Sequence, residues 1–377
     1  MTLQTLNLIF KKVQTHNEPP SPRHGHSAIC YQDSMIIFGG LQNETNQTLN
    51  DLHILDLKNW TWTQPQTSGE IPSPRSFHTA VLYNHQMLVW GGSQEVGQGT
   101  YNCRDNDLYI LNLHTWEWSK ITPTGTPPTP RCQHSAILYQ DKLIIDGGAY
   151  DFYFSRNDLH ILNLKTMSWL PLQIENCYGA AFAGLKIQGN TLIKFLGDAA
   201  YEGFCNHVLL LEIPDFDYES LRTLKWEKAN IQGIENYGYK VVLPNSQEWE
   251  EYEEYEDEEY EDEDDDIIIC EDGIPVRSVH GYGEIENNLI LFAGVAPGDG
   301  ISHITIGDLV LLNIPDSPTT GTYTWLLPQT TGEIPPPRFA HTTIQYNQQT
   351  IIFGGLWLDT WCGNHSYDHD VYILKIV

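Results

Sequence analysis

The sequence predicts an all-β fold, a six-bladed β-propeller with four antiparallel strands per blade, and three observations carry that prediction. An Arg stands sixteen residues before the first member of a Gly pair at Arg23/Gly39, Arg75/Gly91, Arg131/Gly147 and Arg338/Gly354, and Arg277 stands sixteen before Ala293 of an Ala-Gly version. An aromatic stands thirteen residues before that Arg at Trp62, Trp118 and Trp325, so the joints between units are as regular as the units themselves. Within each period of about fifty residues, short alternating apolar runs (AICY, MIIF, LHILDL and TWTW in the first unit) give the pattern of four half-buried strands.

The elements follow in order. Phe10 lies thirteen residues before Arg23, which places it as the outer-strand aromatic of a blade whose other strands come from elsewhere. The C-terminus supplies them, because the unit from Arg338 runs through a Gly pair and a third strand at 370–374 and stops before any Trp. The two ends therefore complete one blade, which closes the ring and removes two strand edges. Blades one to three (23–64, 75–121 and 131–172) are joined by the Pro-rich segments GEIPSPR and GTPPTPR, suited to crossovers between blades. The fourth unit keeps Leu196-Gly197, an apolar run at 208–213 and Trp226, but its ENCYGAAFAG stretch has no Arg or His. The fifth starts at Arg277 and the sixth at Arg338. An Asp eleven residues before the outer aromatic, at Asp51, Asp107 and Asp158, marks the third strand, and the segment between the Gly pair and that Asp varies in length, as a loop does.

Surplus chain lies between Trp226 and Arg277. Its first part, YGYKVVLP, reads either as an inner strand of blade five or as the vestige of a seventh blade. The rest, 245–272, carries too much like charge to pack and is expected to be a disordered insertion in a single domain spanning 1–377. Fifteen of the 49 acidic residues fall between Glu248 and Asp266; against 20 basic residues the formal charge is -29, and -29 + 15 = -14 without that tract. Such a balance argues against general nucleic-acid or anionic-membrane binding. Seven scattered cysteines without a CxxC spacing suit a reducing compartment, and the sequence shows neither a signal-peptide pattern nor a membrane-length apolar run, so a cytoplasmic or nuclear location is expected.

The chain resembles the Kelch-repeat family. The residues that carry the resemblance are the start Arg23, His26 and Ser27, the pair Gly39 and Gly40, the third-strand entry Asn50, Asp51 and Leu52, and the pair Trp60 and Trp62. In that family the face bearing the second-to-third-strand loops often binds peptides, although copper oxidases and a sugar epimerase share the fold. The resemblance thus implies a protein-binding module of adaptor or substrate-receptor type.

The candidate ligand-binding residues are of three kinds. Arg23, Arg75, Arg131, Arg277 and Arg338 stand at innermost-strand starts; they read either as a cationic ring at the channel mouth for a carboxylate or acidic peptide, or as structural groups bonding carbonyls and an acid of the neighbouring blade. Trp357 and Trp361, in the loop WLDTWCGNHSYDHD, are interface anchors; Cys362, His365 and His369 in the same loop are a weaker zinc pattern, and neither metal nor cofactor is expected. Trp249, Tyr252, Tyr255 and Tyr260 give the acidic tract apolar handles for a basic client protein. The histidines His26, His78, His134, His280 and His341 read as satisfied structural groups. No nucleophile with an adjacent base emerges from the sequence, and the alternative of an enzyme with a small-molecule site at the channel mouth rests on the fold alone.

Overall fold

A computed structural model describes residues 6–95, 101–103, 106–150, 155–175, 180–199, 203–204, 207–213, 222–232, 238–240, 267–269, 281–286, 288–297, 303–358, 365–366 and 369–377. The alternating apolar runs form antiparallel sheets arranged as six blades. In blade one, Ser27–Tyr31, Ser34–Gln42, Thr48–Asp56 and Thr61–Thr63 pair in sequence order from the inside outward. Blade six is completed by the N-terminus: Asn7–Val13 lies antiparallel to Val371–Ile376 with Phe10 opposite Leu374, and Phe10 is buried as the spacing predicts.

Apolar side chains gather between blades rather than within one. Six clusters occupy the six interfaces. Between blades six and one, for example, Phe353 and Ile351 meet Met35, Leu55 and Trp62. A four-stranded blade has two apolar faces and cannot bury both alone, so each is stable only inside the closed ring. All six outer aromatics, Phe10, Trp62, Trp118, Trp169, Trp226 and Trp325, are no more than 3% exposed.

The Gly pair ties one blade to the next. It forms a bulge at the end of the second strand, with the register shifting between Phe38 and Gly40 in blade one. The N–H of its second member turns outward to the carbonyl of the next blade's Arg: Gly40 donates to Arg75 at 2.9 Å, Gly92 to Arg131 at 2.9 Å and Gly355 to Arg23 at 2.9 Å. At Gly39 φ is +64° and a Cβ would come within 2.8 Å of the Arg75 carbonyl, so both the conformation and the close approach call for glycine.

Two expectations are corrected. Several blades have a fifth strand, because the connecting segment runs parallel along the outer strand of the blade it is about to enter: Ser68–Gly69 along Glu117–Ile121, Asn230–Gln232 along Thr322–Leu326, and Gln329–Gly332 along Asn7–Val13. A Cβ on Gly69 would lie 2.1 Å from the Trp118 carbonyl, and one on Gly332 2.1 Å from that of Phe10, which explains the Gly of the repeated GEIP. Within YGYKVVLP the described residues 238–240 are not the inner strand of blade five, which is Gly281–Ile285. Gly238–Lys240 pairs antiparallel with Ile267–Ile269 as a two-stranded ribbon of its own, which brackets residues 241–266. The described residues contain no helix long and apolar enough to cross a membrane.

Candidate functional site

The Arg series is enclosed within the blades. Arg23, Arg75, Arg131 and Arg338 are at most 3% exposed. In each, Nη1 donates to the carbonyl of the first Gly of its own blade's pair, Gly39, Gly91, Gly147 or Gly354, at 3.1, 2.8, 2.9 and 2.9 Å. This bond is the reason for the sixteen-residue spacing. The acid partner also belongs to the same blade rather than to the neighbouring one: Arg23 forks onto Asp51 at 2.7 and 2.9 Å, and Arg131 forks onto Asp158. The paired carboxylates of Asp51 and Asp158 sit well below the usual carboxylate range; burial opposes this, and the hydrogen bonds from His53 and Arg23, and from Arg131 and His160, outweigh it.

The environment alternates with one residue of sequence. Blades one and three read Asp-Leu-His, and His53 and His160 reach back to Asp51 and Asp158 at 2.8 and 2.9 Å. Blades two and six read Asp-Leu-Tyr and Asp-Val-Tyr; there Arg75 stacks over Tyr109 at 4.7 Å and Arg338 over Tyr372 at 5.1 Å. In these two blades the Asp pairs with a Lys two residues after the outer aromatic, Lys120 with Asp107 at 2.5 Å and Lys12 with Asp370 at 2.6 Å. Arg23→Ala is therefore expected to cost about 1–3 kcal/mol, because the buried Gly39 carbonyl and the partly exposed Asp51 carboxylate both lose a donor while His53 stays on Asp51. Urea midpoints of wild type and Arg23→Ala check this; an unchanged midpoint would show that the fork contributes nothing to stability.

The residues that reach the channel lie one and two positions after the Arg. Gly25, Phe77, Gln133, Phe182 and Ala340 all adopt positive φ, between +52° and +60°. Their backbones join in a collar: Gly25 donates to Ala340 at 2.9 Å, Phe77 to Gly25 at 2.7 Å, Gln133 to Phe77 at 2.9 Å and Phe182 to Gln133 at 2.8 Å. Phe77 and Phe182 meet edge to face at 5.7 Å, with His24 at 5.8 Å from Phe77 and 6.4 Å from Phe339. A Cβ on Gly25 would already touch the Phe77 ring at 3.0 Å, so that ring lies against the collar opening. Phe77, Phe182 and Phe339 are half-buried and form an aromatic floor. No repeat-locked residue contributes its side chain here, which is why pattern reasoning missed it; the usable signal was the variation between Arg and His.

Next to the collar is a cavity of about 240 Å³, lined by the histidine series and small inner-strand residues. His26, His78 and His134 each place Nε2 against a hydroxyl of the preceding blade: Thr342 at 2.7 Å, Ser27 at 2.8 Å and Thr79 at 2.7 Å. The other side of each ring packs edge-on against Phe353, Phe38 or Trp90. Burial first, and then the nearby Arg23, Arg75 or Arg131, drives all three imidazoles far below their ordinary value, His78 to about 3. These hydroxyl–imidazole pairs have the distances of nucleophile and base, but an imidazole so acidic is a poor base at neutral pH, and the pairs work as struts between blades. Blade four lacks the His, and the repeat changes in step: the aromatic before the Gly pair of blade three becomes Asp146, which pairs with Lys194 at 2.6 Å in full burial.

Above the collar the second and third strands continue past the bulge as ribbons. They are Gly40–Leu41 with Thr48–Leu49, Ser93–Glu95 with Tyr101–Cys103, Asp198–Ala199 with Gly203–Phe204, Gly294–Pro297 with His303–Ile306, and Trp357–Leu358 with His365–Ser366; blade three has the single bridge Ala149 to Ser155. Trp357 thus stands on the blade-six ribbon, opposite Ser366. Trp249, Tyr252, Tyr255, Tyr260, Arg277, Trp361, Cys362 and the acidic run lie outside the described residues.

Residues 1–187 match the KLHDC2/KLHL20/DRC7 Kelch-repeats domain. The chain is a six-bladed propeller of the Kelch-repeat type. This Kelch propeller is 37% identical over 158 residues to acyl-CoA-binding domain-containing protein 5 of Arabidopsis thaliana, covering 42% of this chain and 23% of that protein. It is also 37% identical over 167 residues to host cell factor 2 of Homo sapiens, covering 39% of this chain and 20% of that protein. The Kelch propeller therefore spans under a quarter of the length of these two relatives. The solved structure of YjhT superposes with a TM-score of 0.63 at 18% identity, over 96% of this chain and 98% of that one, which shows the fold. The role typical of Kelch-type propellers is protein–protein interaction.

Proposed function

We propose that this Kelch propeller binds a peptide or loop of a partner protein on the ribbon-bearing face, as an adaptor or substrate receptor would. The observation that carries this reading is the crown of ribbons around the aromatic floor. Phe77, Phe182 and Phe339 offer anchors of the type that dominates interface energies, and the ribbons supply strand edges. In this reading Arg23, Arg75, Arg131 and Arg338 serve recognition as positioning residues, each holding the base of its ribbon through the first Gly carbonyl, and Trp357 acts at the rim.

The test is affinity capture of partners with the full chain, followed by titration of the recovered partner against variants. Phe77→Ala and Phe182→Ala are expected to weaken binding by about 2 kcal/mol or more, roughly thirtyfold, with little change in melting temperature because both rings are only half-buried. Unchanged affinity in both variants would move the partner off this face.

A second reading is favoured by the ribbon of Gly238–Lys240 and Ile267–Ile269, which roots the acidic run where blade four hands over to blade five. The run recruits a basic client to the same face by charge. Removing residues 241–266 in the same titration should weaken a basic partner and flatten its salt dependence. An acidic partner would instead gain affinity from the deletion.

A further inference from the structure

On the side opposite the crown, blades one to three each present a turn between their first and second strands and another between their third and fourth. Blade one places Asp33 in the first turn and Lys58 in the second, paired at 2.5 Å, and Tyr346 of blade six donates its hydroxyl to Asp33 at 2.8 Å. Blade three repeats the arrangement: Asp141 and Lys165 pair at 2.5 Å, and Tyr83 of blade two donates to Asp141 at 2.8 Å. In blade two both members differ. His85 stands where the repeat has Asp, and His114 where it has Lys. Tyr31 of blade one still reaches the first turn, with its hydroxyl 3.0 Å from His85 Nδ1. The two imidazoles have centroids 4.8 Å apart and planes inclined at 47°, and both residues are exposed.

We propose that His85 and His114 form a bidentate surface site for a borderline divalent transition-metal ion of the Zn2+ class. Imidazole nitrogen is a preferred donor for these ions. A metal about 2.1 Å from one nitrogen of each ring, with a near-tetrahedral angle between them, sets the ring centroids about 5 Å apart, the separation found here. The Tyr31 hydroxyl orients the site: as acceptor from His85 Nδ1–H it selects the tautomer whose Nε2 lone pair faces outward, the role that outer partners play at metal-binding histidines. Among the described residues no group of three or more His, Cys, Asp or Glu ligands gathers, so water completes the coordination. The ion then replaces the Asp–Lys pair of blades one and three as the link between the two turns, and makes that link conditional on metal.

The experiment is calorimetric titration of the full chain with Zn2+, with melting temperature read in parallel. Wild type is expected to bind one equivalent that the double variant His85→Asp/His114→Lys lacks. That variant installs the pair of blades one and three, and should melt no lower than metal-free wild type and at a temperature that Zn2+ does not change. Tyr31→Phe is expected to weaken the site about tenfold. Zn2+ binding by the double variant with unchanged stoichiometry and affinity, or no saturable site in wild type, overturns the proposal.

Discussion

Removing residues 1–14 is expected to abolish the folded state. The strand Asn7–Val13 fills the outer position of blade six, where Leu8, Phe10 and Val13 are buried, and Phe10 also packs against Phe292 of blade five at 5.2 Å. Truncating one such aromatic costs about 3–5 kcal/mol. Loss of the whole strand adds its backbone pairing with Val371–Ile376 and its parallel pairing with Gln329–Gly332. The total exceeds the stability of about 5–15 kcal/mol that a native protein has to lose. A shortened chain that melts cooperatively at the temperature of the full one would show that the ring closes elsewhere.

Acid is expected to unfold the propeller early and steeply. His26, His78 and His134 are neutral and buried in the ring, far below the value near 6.5 that each takes in the unfolded chain. Between the folded and unfolded values the unfolded state holds protons that the folded state does not, so their contribution is complete above about pH 6.5 and is lost as pH falls below it. Each group contributes a slope of about 1.4 kcal/mol per pH unit, and the three together about 4. Asp51 and Asp158, held low by their partners, add to the same trend only below the ordinary carboxylate range near 4. Urea unfolding between pH 7.5 and 5 measures this. His78→Gln should remove about a third of the slope between pH 6.5 and 5, and a flat profile over that range would show that the rings are solvated or protonated in the native state.

Blade number, strand order and ring closure were legible in the sequence because they depend on repetition. Arg at sixteen residues from Gly, an aromatic at thirteen from Arg, and Phe10 at the same interval from Arg23 each report an arrangement that recurs from blade to blade, so the period alone reveals it. The same regularity hid the destination of the Arg side chains. Burial turns on whether an acid, a carbonyl or a Tyr face lies within reach, and those neighbours become visible only when strands two and three are laid side by side. The crossover strands were also beyond the pattern, since a parallel pairing such as Ser68–Gly69 with Glu117–Ile121 joins segments about fifty residues apart. The collar is the clearest case. Gly25, Phe77, Gln133, Phe182 and Ala340 have no common side chain, yet a common left-handed backbone brings them to one ring. Sequence by itself determined how many blades there are and how the ends meet, because those follow from local pattern and hydrophobic period. Only the tertiary structure decided what faces the channel, because that depends on the direction a backbone takes after its last repeated residue.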